Sequence, residues 1–300
     1  MQTFDPNAMK PAFLKALEAT QKVVEARKVS AKLALLKDVE ATMSPLTGHD
    51  DLKIKTARTS MLAFNKMLNE FLYNKGQFIG IEFTSFEDFE SKLTSPDKEI
   101  LIALLLDASY TKLPKRTAYC PECGELVEYD LIVADLFNNP ESKIPVWEED
   151  LPVYEKTFTK TMFDDVLKVS IKMPTELKKN KVYESMNFDT IRKNLIQKGQ
   201  IIDSTDTLLM FIDELQISYI ADEKSKKEEV YVLKDMVSEI RPYLDNAPLE
   251  VHEEINRFVN ECFDKYVIEL KTEVTCNHCG HKFNWTVSPE SEFFRKTFSI

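Results

Sequence analysis

Two Cys-x-x-Cys-Gly segments, Cys120-Pro-Glu-Cys123-Gly124 and Cys276-Asn-His-Cys279-Gly280, constrain this chain more than anything else in it. Two residues between cysteines let one tight turn present both sulfurs to a single metal ion. The glycine that follows tolerates the left-handed backbone that aims N–H groups at the thiolates. Alternating apolar residues flank each pair, so each reads as the tip of a β-hairpin. Two such tips face to face form a closed four-thiolate zinc site, with no position open to water or substrate. The expectation is one structural zinc held by Cys120, Cys123, Cys276 and Cys279. The separation is unusual: 152 residues lie between Cys123 and Cys276. Closing that loop costs about 4–5 kcal/mol of chain entropy, whereas structural zinc contributes on the order of 10 kcal/mol, so the metal wins. A redox dithiol belongs at a helix start rather than between strands. His278 and His281 stand beside Cys279 as alternative ligands, and Cys262 falls on the apolar face of a helix.

Charge narrows the function. The 300 residues carry a net charge of −11, which disfavours a general nucleic-acid binder because phosphate contacts need clustered Lys and Arg. Residues 1–80 depart from this, with 12 Lys and Arg against 8 Asp and Glu. That excess is either solvated helix faces or a basic arm that docks on an acidic partner. No phosphate-cradling glycine loop, Gly-x-Ser-x-Gly or His-Glu-x-x-His is present, and His49 and His252 read as surface residues, so an enzyme is not expected. Met1 to Lys10 has no basic-then-apolar leader, and the longest apolar run, Ile100 to Leu106, is too short to span a bilayer. The protein is expected to stay in the cytoplasm where it is made, a reducing place where cysteines pair with metals.

Only six glycines occur, so helices should dominate. Apolar spacing predicts helix over 7–42 (Phe13, Leu14, Leu17, Val23, Val24, then Leu33, Leu35, Leu36, Val39), a break at Ser44–Gly48, and helix over 52–73. A short helix around Phe86, Phe89 and Leu93 precedes one opening at Ser95-Pro96-Asp97. That helix carries Ile100–Leu106, apolar all round, and should lie in the core. Residues 116–131 alternate as a strand, 138–156 form a Pro-rich, acidic surface connection, and Val166–Met173 is a short strand stopped by Pro174. Helices are predicted over 186–197, 204–220, 227–240 and 248–263, and strands around Ile268–Val274 and Phe283–Val287. Each knuckle thus sits in a helix–strand–knuckle–strand unit with a Tyr (Tyr110, Tyr266) ten residues before its first cysteine, as if one unit occurred twice.

The segment Glu273-Val-Thr-Cys276-Asn-His-Cys279-Gly280, followed by an alternating strand and Ser291-Glu-Phe293-Phe294-Arg295, resembles the ending of baseplate hub and hub-assembly proteins of T-even-type contractile-tailed phages. Val169-Ser-Ile-Lys-Met173-Pro174-Thr175, ahead of a helical stretch, and the helix running into Arg116–Asp130 are similar to the same family. The resemblance covers 86–137 and 165–298. Residues 1–80 match nothing in it, and a duplicated knuckle is more than it leads one to expect. It implies a non-enzymatic component or assembly factor of the baseplate hub, in the virion and in the host cytoplasm during assembly. Its partners would be other baseplate and tail proteins.

The expected fold is α+β: mostly helical, with a small antiparallel zinc-ribbon-like element formed by two distant Cys-x-x-Cys hairpins. Residues 1–80 would be a helical arm, 81–140 a helix plus the first knuckle, and 141–300 a helical region plus the second knuckle, packing with 81–140 as one domain. The rival is a zinc-ribbon nucleic-acid or transcription protein. Glu122, Glu125, Glu128 and Asp130 on the first hairpin weigh against it.

Overall fold

The computed structural model describes residues 19–298 except 20, 24, 58–60, 111–112, 114, 146–149, 160–165, 187–203 and 223–226. Phe13, Leu14, Leu17 and Val24, and all but Met186 of the helix expected over 186–197, lie outside the described residues.

Helix α4 (Ser95–Ser109) is the hub of the packing. Thr94 precedes it as N-cap, Pro96 occupies the first turn, and Ile100 through Leu106 are at most 3% exposed on every side of the helix. The N-terminal third contributes α1 (Gly48–Ala57), α2 (Met61–Lys75), which packs on α4, and α3 (Phe86–Lys92). From beyond it come α5 (Val133–Asn138), α6 (Glu176–Ser185) and α7 (Ser204–Phe211). α8 (Arg241–Asn246), α9 (Leu249–Phe263) and α10 (Pro289–Phe298) follow toward the C-terminus. No described helix is long and apolar enough to cross a membrane. One apolar cluster runs from Leu33 to Phe293, so both ends of the described chain share a core.

Residues 29–43 are not helical. β1 (Val29–Lys32) and β2 (Glu40–Met43) pair antiparallel, and β3 (Gly76–Ile79) pairs with the other edge of β2. The leucines that mimic helical spacing form a buried turn instead. The Asp97 carboxylate accepts the Ala34 and Leu35 N–H groups at 2.7 and 2.9 Å, bonds that a helix would have satisfied internally. Asp38 closes the turn at φ 55°. Gly80 (φ 101°) must be glycine, because a Cβ there would lie 2.3 Å from the Asp38 carbonyl oxygen.

The larger departure is a four-stranded antiparallel sheet in the order β6–β7–β8–β9: β6 (Tyr154–Thr159), β7 (Val166–Ile171), β8 (Ile212–Asp222) and β9 (Lys227–Leu233). Two of these strands replace most of the helices expected over 204–220 and 227–240. α7 ends at Phe211 and runs straight into β8, with no Gly or Pro to mark the change. From Ile212 onward the period is two, not 3.6. Leu167, Val169, Ile171 and Leu215 form the buried face, each at most 1% exposed, against α9. The amphipathic α9 answers with Phe258 and Phe263, whose rings meet Phe158 at 6.3 Å and Tyr154 at 5.4 Å. A π-helical turn (Met236–Ile240) follows β9. The chain is therefore α+β as expected, and its described residues form four antiparallel sheets rather than one small β element.

The helices from the two halves are clamped by a buried polar network. Lys98 of α4 reaches Glu176, the first residue of α6, at 2.8 Å, with side chains 3% and 0% exposed. It also donates to Asn65 of α2. Asn65 and Asn69 donate to Glu176, and Asn180 donates to Glu90 of α3.

Candidate metal centre

β4 (Arg116–Tyr119) and β5 (Leu126–Tyr129) form the first knuckle hairpin, and β10 (Leu270–Thr275) and β11 (Lys282–Val287) the second. Each remains its own two-stranded sheet. Their tips close alike. Cys120 N–H donates to the Glu125 carbonyl at 2.9 Å and Gly124 N–H to the Cys120 carbonyl at 2.8 Å. In the second, Cys276 N–H donates to the His281 carbonyl at 2.8 Å and Gly280 N–H to the Cys276 carbonyl at 2.9 Å. Both turns need a left-handed residue after the second cysteine, and Gly124 and Gly280 supply it at φ 72° and 75°.

The two tips face each other. The sulfurs of Cys120 and Cys279 lie 3.7 Å apart, as do those of Cys123 and Cys276, and all four fall within 4.8 Å of one another. A tetrahedron of thiolates at about 2.3 Å from a central ion has edges of about 3.8 Å, so the donor set fits zinc in kind, number and spacing. Cys120 and Cys276 are buried, in a small cluster of their own with Val127 and Val274, while Cys123 and Cys279 sit at the exposed rim of the cluster. The Cys279 N–H points at the Cys276 sulfur and, with the His278 N–H and neighbouring thiols, brings that thiol down to about 6 despite burial. At Cys123 the Glu125 N–H pulls downward, but burial and the three other thiols outweigh it and push the group up to about 12. Four sulfurs this close resist sharing negative charge, and a divalent cation makes the all-thiolate state favourable.

Neither histidine ring belongs to the cluster of ligand atoms. His281 stacks on Phe283, with centroids 6.1 Å apart. Cys262 sits half-buried against the main core, where burial raises its thiol pKa. His252 is buried rather than exposed, its Nε2 2.7 Å from the Leu244 carbonyl oxygen.

What holds the hairpins in place was not evident from motif spacing. Arg116 of β4 pairs with Glu292 of α10 in a nearly buried contact. The link after α5 grips the second hairpin. Lys143 and Glu269 exchange backbone hydrogen bonds of 2.8 and 3.0 Å, the Ser142 hydroxyl accepts the Lys271 N–H at 2.8 Å, and the Asn139 amide donates to Asn284 at 2.8 Å. The surface connection expected over 138–156 is therefore partly a splint between the two halves of the site. No sequence pattern announces such single polar contacts, whose partners lie 126–176 residues away.

No curated protein and no solved structure matches this chain. A family model described as T4 bacteriophage base plate protein matches residues 35–295. The match contains both knuckles and the shared core, and it takes in residues 35–80, which the sequence resemblance had left outside. The chain belongs to the T4 bacteriophage base plate protein family.

Proposed function

We propose that this protein is a non-enzymatic component or assembly factor of the hub region of a contractile phage tail baseplate, built around one structural zinc ion. The observation that carries the reading is the convergence of four cysteine sulfurs from two hairpins 152 residues apart in sequence, within a chain of a base plate family. Zinc bound by Cys120, Cys123, Cys276 and Cys279 would tie the two hairpins together, add its binding energy to folding, and leave no position for a reacting ligand. Glu122, Glu125 and Glu128 are exposed on the first hairpin and oppose a phosphate backbone, which favours protein partners over nucleic acid. The partners are other baseplate and tail proteins, met first in the host cytoplasm.

Two measurements test this reading. Elemental analysis of the purified protein gives about one zinc per chain. Two ions, or none with Cys120 and Cys123 joined as a disulfide, would contradict it. A phage lacking the gene makes defective tails. In purified virions a resident component is present at fixed copy number, whereas an assembly factor is absent. Normal tails without the gene would defeat both versions.

A further inference from the structure

The four-stranded sheet ends on β9, and among the described residues no strand pairs with its outer edge. An edge strand offers free N–H and C=O groups at every second residue, and proteins usually blunt it with charge, proline or a bulge. The centre of β9 is not blunted: Val230, Tyr231 and Val232 are 48%, 49% and 45% exposed. Val230 and Val232 lie on the sheet's outer face, where Val230 continues a row through Ser218 to the exposed Val166. Tyr231 lies on the other face, stacked on Tyr219 at 5.6 Å with both hydroxyls bonded to Glu229.

The order of residues from 227 to 235 is Lys-Glu-Glu-Val-Tyr-Val-Leu-Lys-Asp. An antiparallel copy turned about Tyr231 sets Val230 against the partner's Val232 and Tyr231 against the partner's Tyr231. The same register brings position 228, a glutamate, opposite the partner's Lys234, and position 227, a lysine, opposite the partner's Asp235. Apolar thus meets apolar and charge meets opposite charge, leaving only Glu229 against an apolar residue, the partner's Leu233. Lys234 is 69% exposed, and its ammonium pairs with Glu214 at 2.9 Å on the surface, beside the charge of Asp213. The Asp235 carboxylate already caps the following turn. We infer that β9 is a two-fold interface through which two copies of this chain join their sheets into one of eight strands. This inference depends on neither the zinc site nor the baseplate role.

Sedimentation of the full chain under reducing conditions tests it. The expected mass is twice 34.7 kDa at micromolar concentration. Val230→Lys or Val232→Glu alone weakens the dimer about a hundredfold, tenfold at each of the two symmetry-related valine pairs, while the circular dichroism of the fold is unchanged. Mixing the two variants restores a dimer, because the new lysine faces the new glutamate. A wild-type chain that stays at 34.7 kDa up to about 0.1 mM overturns the inference. A dimer indifferent to Val230→Lys shows that another surface is used. Variants that stay apart on mixing refute the pairing about Tyr231.

Discussion

Lys98→Met tests whether the two halves of the chain are joined by a buried charge pair. Methionine keeps the length of the lysine stem and its packing, so the change isolates the ammonium. Lys98 is 3% exposed and its Nζ lies 2.8 Å from Glu176, which is itself fully buried. Burial works against both charges. Lys98 and Lys179 nevertheless hold Glu176 far below the ordinary carboxylate range, and Glu176 and Glu290 hold Lys98 above its ordinary value. Breaking a buried pair costs about 3–5 kcal/mol because one charge is left uncompensated. Here Lys179 remains 2.9 Å from the other Glu176 oxygen, and Asn65 still donates at 3.1 Å. The loss should therefore fall at the low end, about 3 kcal/mol, or a melting point lower by about 6–10 °C. Chemical denaturation followed by tryptophan fluorescence measures it. Glu176 is a carboxylate with a depressed pKa in the folded state, so its contribution is present above the ordinary value of 4.5 and lost as the pH falls. The gap between wild type and Lys98→Met should accordingly narrow in acid. A double-mutant cycle with Glu176→Gln should return a coupling of at least about 2 kcal/mol. If Lys98→Met costs less than about 0.5 kcal/mol, the pair contributes nothing to joining the halves and the reasoning fails.

Glu99 lines an apolar cavity of about 310 Å³, and burial together with the nearby Glu290 charge pushes its pKa up to about 7. A carboxylate raised on folding favours the protonated native state, so stability should fall as pH rises from about 4.5 to 7. Glu99→Gln should remove that slope and gain about 3 kcal/mol at pH 8; urea unfolding that stays equally steep with pH in the variant would count against this. Cys276→Ser removes one of the four clustered sulfurs and should cost about 3 kcal/mol or more, with chelator lowering the melting point of the wild type but not of the variant. Identical melting curves would make the site peripheral. Deleting residues 1–43 removes β1 and β2, including Ala41 and Met43 at 0% exposure, and should give aggregated protein, whereas deletion of 1–28 leaves both strands and should fold. Gel filtration distinguishes the two, and a soluble, compact 44–300 fragment would show the N-terminal sheet to be dispensable.

Sequence alone determined the features whose physics is local. A Cys-x-x-Cys turn closed by glycine is one chemical unit, so the four cysteines, their flanking strands and even the left-handed Gly124 and Gly280 could be read directly. Helix α4 was equally legible, because seven consecutive apolar residues behind a proline leave no polar face to expose. Tertiary structure decided what local pattern left degenerate. Leu33–Val39 and the run through Leu208–Leu215 fit a helix by spacing, yet the first forms a turn because Asp97, more than 60 residues away, satisfies its backbone. The second changes to a strand at Ile212 because β7 and β9 lie on either side to complete the ladder. The Lys98–Glu176 pair, the Arg116–Glu292 contact and the open edge of β9 have no sequence signature. Each depends on which surfaces the packed core brings together, and a charged or apolar residue acquires its role only when the fold supplies or withholds its partner.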